Sequence, residues 1–291
     1  MRRITTASIR GLAGGTSSRA ERAGLAPDPA TAPVAIVQVY AARCSGWLGC
    51  FGVHTWFAVK PSGAKAYTVY EVTDRHLRRN GSAVVIRNRA PDAPWAGNPP
   101  ALLADRRGPD ADAMIERIDK TARAYPYAGE YAVWPGPNSN TFTAYIARAV
   151  PELAVDFPPT AIGKDYLGDM LTATAPSGSG FQISLLGLLG LLASRVEGFE
   201  VNVLGLTFGI DPFSPALKLP LVGRLGAARP DRSSVTRHIA TACPPWSAAG
   251  PAPDTRPPPP AGSRQHDRRR CPRFARPGTQ GAQADSSRRA P

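Results

Sequence analysis

Closely spaced cysteine pairs, long apolar runs and histidines are all scarce in this sequence, and each scarcity excludes something. The four cysteines are Cys44, Cys50, Cys243 and Cys271, and no two of them form a C-x-x-C unit. A structural zinc site needs four converging thiolate or imidazole ligands, so no metal is expected. Cys44 and Cys50 read as one buried and one partly exposed thiol, with a small disulfide loop as the alternative in an oxidising compartment. The longest greasy stretch, Phe181 to Ala193, is interrupted by Gln182, Ser184, Gly187 and Gly190. A membrane-spanning helix takes about 20 apolar residues, so none is expected. Arg2 and Arg3 open the chain, but Ser, Thr, Gly and Arg interrupt the stretch from Ile4 to Ala13 and leave no secretory apolar core. The expected location is therefore cytoplasmic or peripheral to a membrane, and no cofactor is expected.

Charge is plentiful but unevenly placed. The formal net charge of the 291-residue chain is +13. Residues 1 to 30 hold five Arg against Glu21 and Asp28, and residues 227 to 291 hold twelve Arg against four Asp, which leaves about +2 for everything between. Basic proteins often bind nucleic acid, because neutralising phosphates dominates that affinity. Here the excess lies in the termini, so specific nucleic-acid binding by the central region is not expected. Attraction of the basic termini to anionic headgroups is expected.

The middle of the chain carries the folding signal. Residues 1–32 are rich in Gly, Ala, Thr, Ser and Pro without periodicity and read as a disordered basic arm. Residues 33–226 read as a single α+β domain, an antiparallel sheet packed with a few helices. Residues 227–291, with twelve Pro and the run Arg268-Arg269-Arg270, read as a disordered tail that cannot offset its ordering entropy. Within the domain, Val34–Ala41, Val53–Lys60, Ala66–Thr73 and Ala83–Arg87 have the β-branched and aromatic content of strands. Met114, Ile115, Ile118 and Ala122 return at helical spacing over Asp110–Ala124, and Phe142, Tyr145, Ile146 and Ala149 do so over Thr141–Ala149. Glu130–Trp134 is strand-like. Phe181–Leu188 is echoed by Phe199–Leu206, eighteen residues on, and reads as two long strands of a hairpin turning at Glu197-Gly198. The leucines Leu185, Leu186, Leu188, Leu189, Leu191 and Leu192 exceed what one strand face needs; burial on both faces accounts for them, with contact to lipid or a partner as the alternative.

One constellation suggests chemistry. Trp134-Pro135-Gly136-Pro137-Asn138-Ser139-Asn140-Thr141-Phe142 sets four small polar residues at the mouth of a helix, where unpaired backbone N–H groups stabilise negative charge. Such residues are also the preferred helix caps, and capping alone explains them. Only His54 and His76 fall in the central region. His76 sits among Arg75, Arg78 and Arg79 on what reads as a surface loop, so imidazole chemistry would rest on His54.

Two resemblances rest on these residues. His54-Thr55-Trp56, Tyr67–Val72, Trp134–Phe142 and Pro158–Asp165 resemble the signature blocks of an uncharacterised bacterial family, a domain of unknown function numbered 3750, over about residues 34 to 226. That family implies no known activity. More distantly, Asn138-Ser139-Asn140-Thr141-Phe142 resembles the Asn-Cys-Asn/Glu-His/Thr-Phe motif of circularly permuted papain-like hydrolases and acyltransferases, in which a strand histidine precedes the nucleophile. That likeness implies a papain-like core, with Ser139 as nucleophile, His54 as base, and Glu71, Asn140 or Tyr70 as the group orienting the imidazole. Serine in place of cysteine matters, since a serine hydroxyl is not readily ionised and depends on a well-aligned base. Three functions are expected on these grounds: hydrolysis or acyl transfer on an amide, ester or acyl-lipid bond; a catalytically inactive domain of that fold binding a peptide, glycan or lipid; or an envelope or membrane-surface protein.

Overall fold

The computed structural model of the protein describes residues 23–227, all within one of two compact units. The expected arm before residue 23 and the expected tail after residue 227 lie outside them. The architecture mixes helix with antiparallel sheet and is mostly sheet.

The first sheet is built from β1 (Ile36–Arg43), β2 (Val53–Lys60), β3 (Thr68–Val72), β4 (Val84–Asn88) and β5 (Ala101–Arg107), in the order β4-β3-β2-β1-β5. The apolar runs that predict the first four strands produce them because both faces of the central pair are covered. One face carries Val37, Val39, Phe57 and Val59 against the helices α3 (Asp110–Arg123) and α4 (Ser139–Ala149). The other carries Tyr40, Trp56, Ala58 and Val69, covered by Trp95 and by Leu25, Ala26 and Ala32. Residues 23–32 thus lie against the sheet instead of belonging to a free arm.

Three other local expectations are corrected. Glu130–Trp134 forms no strand, since its carbonyls and amides go to turns and to the adjoining helix junction. The stretch around His76 is a short helix, α2 (Asp74–Asn80), capped by the Thr73 side chain and ended by Gly81 at φ 72°. A four-residue helix, α1 (Leu48–Phe51), and strand β5 have no counterpart among the sequence expectations. Cys44 is a free thiol, as read, which excludes the alternative loop to Cys50, but Cys50 is disulfide-bonded and not the second thiol expected.

After a 3-10 turn at Pro151–Leu153 and a long loop, the chain builds a second, seven-stranded meander: β6 (Thr172–Thr174), β7 (Gly180–Leu185), β8 (Leu189–Ser194), β9 (Gly198–Val203), β10 (Leu206–Asp211), β11 (Ala216–Leu219) and β12 (Gly223–Gly226). The internal echo is a repeated hairpin and not two paired strands, because β8 intervenes between β7 and β9. Each copy turns through a leucine and a glycine with positive φ, Leu186-Gly187 in a three-residue connection and Leu204-Gly205 in a two-residue one. The expectation of strands buried on both faces fails here: β7 and β9 alternate strictly between buried and exposed.

Candidate functional site

Strand period decides the fate of the expected catalytic pair. Successive residues of a strand point to opposite faces. Thr55 reaches helix α4, its hydroxyl donating to the Ser139 carbonyl at 3.3 Å and to Asn140 Oδ1 at 3.0 Å. His54, one residue earlier, points to the other face, where its ring stacks on Trp95 at 3.6 Å and its Nε2 meets Glu71 Oε2 at 3.3 Å. His54 and Ser139 therefore lie on opposite sides of the first sheet.

Of the groups expected to orient the imidazole, only Glu71 reaches it. Tyr70 points away and donates its hydroxyl to Asp119 at 3.0 Å. Burial pulls His54 below the ordinary histidine range despite the adjoining carboxylate. Burial opposes ionisation of Glu71 as well, yet the His54 bond and the guanidinium groups of Arg89 and Arg87 hold its carboxyl down at about 2. A neutral imidazole donating to a carboxylate results, sealed between Trp56, Trp95 and the strand.

On the other face the mouth of α4 is a closed junction. Asn138 is the cap: its side chain accepts from the amides of Asn140 and Thr141, and the Thr141 hydroxyl accepts from the Asn138 amide. Asn138 also donates to the carbonyls of Val133 and Ile162, and Asn140 to those of Val53 and Ile162. Gly163, at φ 97°, runs so close that an added Cβ would lie 2.4 Å from the Asn138 amide. Ser139 joins through its carbonyl, which also accepts from Thr143. Two of the helix-start amides expected to hold an oxyanion, those of Asn140 and Thr141, are spent on Asn138.

This junction ties together the blocks His54-Thr55-Trp56, Trp134–Phe142 and Pro158–Asp165, which the sequence singles out separately. Residues 34–166 match the family model described as Protein of unknown function (DUF3750). No curated protein matches the chain, and no solved structure does. The DUF3750 match takes in the whole first sheet, the helices and the junction, and stops before the first strand of the second sheet.

The second sheet attaches to the segment before it through buried charge. Asp165 Oδ1 accepts from Lys164 at 2.9 Å and Gln182 at 2.5 Å, and its Oδ2 from Asn202 at 3.0 Å. Lys164 and Lys218 both pair with Glu200, at 2.7 and 2.6 Å, and Lys218 also holds Asp156 at 2.6 Å. Burial alone would lower the Lys164 ammonium, but Asp165 and Glu200 beside it win and hold it well above the usual lysine range. Every charged residue within the seven strands, namely Glu200, Asp211, Lys218 and Arg224, is on this inner side or buried at its edge.

The outer side is the reverse. Cross-strand register lines up Phe181, Ala193, Phe199, Ile210, Leu217 and Leu225 in one ladder, and Ile183, Leu191, Val201 and Phe208 in the next. A third joins Leu185, Leu189, Val203 and Leu206. Leu191 is 55% exposed and Phe181 57%. A shallow depression of about 380 Å³ crosses the middle of this face, lined by Leu171, Ile183, Leu191 and Val201 among others. The surplus leucines are visible in the sequence, but the expectation of burial assigns them to the interior. The signal that corrects it is the alternation Phe-Gln-Ile-Ser-Leu and Phe-Glu-Val-Asn-Val, which a strand buried on both faces does not show. Among the described residues no cluster of three metal-ligating side chains occurs, and no helix is long and apolar enough to cross a membrane.

Proposed function

We propose that this protein is a docking module, whose working surface is the outer face of the seven-stranded sheet. The observation that carries this is the inversion of that sheet, with its charges turned inward and its large apolar side chains turned to solvent. At a strand spacing of about 4.8 Å and a rise of about 3.4 Å per residue, seven strands of up to six residues cover roughly 600 Å². Soluble monomers rarely leave a contiguous apolar patch beyond a few hundred Å² unless something binds there. Hydrolysis or acyl transfer by His54 and Ser139 has no such support, because the imidazole and the hydroxyl-bearing turn occupy opposite faces of the first sheet.

The test is a dye measurement on the folded chain. A solvatochromic apolar dye should brighten on the wild-type protein well below its unfolding temperature. The double variant Leu191→Asp/Val201→Asp, a cross-strand pair at the centre of the face, should lose most of that emission with its far-UV circular dichroism unchanged. Equal emission from both proteins would remove the face from consideration.

A further inference from the structure

We infer that the occupant of this face is an anionic lipid bilayer, an inference that rests on the docking reading above. Three observations select lipid over a protein partner. The first is the chemistry of the face. Its outward strand positions offer no charged side chain, and its only hydroxyls there are Thr172 and Thr174 on the edge strand β6. Specific protein interfaces carry about one hydrogen bond per 100–200 Å² and use polar groups to fix register. A surface without them fits a partner that needs no directional pairing, and acyl chains are that partner.

The second observation is the rim. Leu186, Leu204 and Leu221 occupy turns with φ of 52°, 53° and 70°, where glycine, asparagine or aspartate is the ordinary choice. All three are exposed, as is Leu171 at the same end of the sheet. Leucine in a left-handed turn is conformationally unfavourable and gains nothing in water, but it extends an apolar face into a bilayer. Trp134, 52% exposed, donates its indole N–H to the Leu204 carbonyl at 2.9 Å, and tryptophan with one wet and one apolar side is characteristic of the membrane interface.

The third is where the basic sequence begins. The sheet ends at β12, an edge strand whose Leu225 belongs to the apolar face, and Ala227 is tied back to the Pro215 carbonyl. The first of the twelve arginines of residues 227–291 is Arg229, two positions later, against four aspartates in the same stretch. Charges on the inner side of the sheet are neutralised there, so cations for headgroups come from this segment. Apolar insertion and a polybasic segment together make a stable anchor where either alone is weak.

Flotation of the full chain with vesicles tests the inference. The wild type should float with vesicles of phosphatidylcholine mixed with phosphatidylserine and only weakly with phosphatidylcholine alone. Leu191→Asp/Val201→Asp should abolish flotation. Arg268→Gln/Arg269→Gln/Arg270→Gln/Arg273→Gln should weaken it about tenfold or more, since each cation near an anionic surface contributes on the order of 1 kcal/mol. Flotation that survives the face variant and vanishes in the arginine variant would overturn the inference, because the basic segment alone would then be responsible. Absence of flotation with a wild-type dimer in light scattering that the face variant converts to monomer would also overturn it while leaving the docking reading intact, the occupant being a second copy. Absence of flotation, dimer and dye binding would overturn both.

Discussion

Asn138 and Ser139 are neighbours with unequal duties. Asn138 accepts from two helix amides and donates to two loop carbonyls, whereas Ser139 contributes a backbone oxygen that any residue would supply. Asn138→Ala removes a helix cap and leaves buried carbonyls without a donor, and should cost about 2 kcal/mol or more. Ser139→Ala should change stability by no more than about 0.5 kcal/mol, as read from urea denaturation midpoints. The motif around them was legible as a helix start, and capping was a sufficient reason for it. What the sequence could not convey was facing: His54 and Thr55 are adjacent in sequence, and only the register of β2 against α4 tells which of them looks at the helix.

At the scale of elements, the first sheet was the readable part, because strands buried on both faces are written as apolar runs and α3 as a 3.6-residue period. Strand β5, Ala-Leu-Leu-Ala-Asp-Arg-Arg, hid its identity behind alanines and charges that β1 and the Asp105–Arg107 pair accommodate. In the second sheet the periodicity was present, but the usual equation of apolar with interior gave its faces the wrong sense. The inner face holds together through Glu200, which stands between two ammonium groups. Burial would raise its carboxyl, but Lys164 and Lys218 bring it below the ordinary range. Glu200→Ala should therefore destabilise by about 3–5 kcal/mol, the cost of uncompensated buried charge. A conservative Glu200→Gln should recover part of that loss by keeping hydrogen bonds. Thermal unfolding of both variants beside the wild type makes the comparison, and a loss under about 1 kcal/mol for alanine would mean that water reaches the cluster.

Whole-molecule stability should respond to acid through the sealed face of the first sheet. His54 is held below its ordinary pKa of 6.5 by burial, so below pH 6.5 the unfolded chain takes up a proton that the folded one refuses. Stability is then full above that value and declines as the pH falls. Glu71, with an unfolded value of 4.5 and a folded one of about 2, adds a second decline in the same direction, beginning near pH 4.5 and complete below about 2. Glu197, whose carboxyl burial pushes upward, works in the opposite sense, so the raw profile is a composite. Comparison with His54→Gln isolates the first component, because an amide can still donate to Glu71 but does not titrate. The wild-type melting temperature should fall relative to that of His54→Gln as the pH is lowered from 7 to 5.5. Parallel profiles throughout would mean that the imidazole accepts its proton inside the folded protein, and that the stacked face of Trp95 opens to water instead of sealing it.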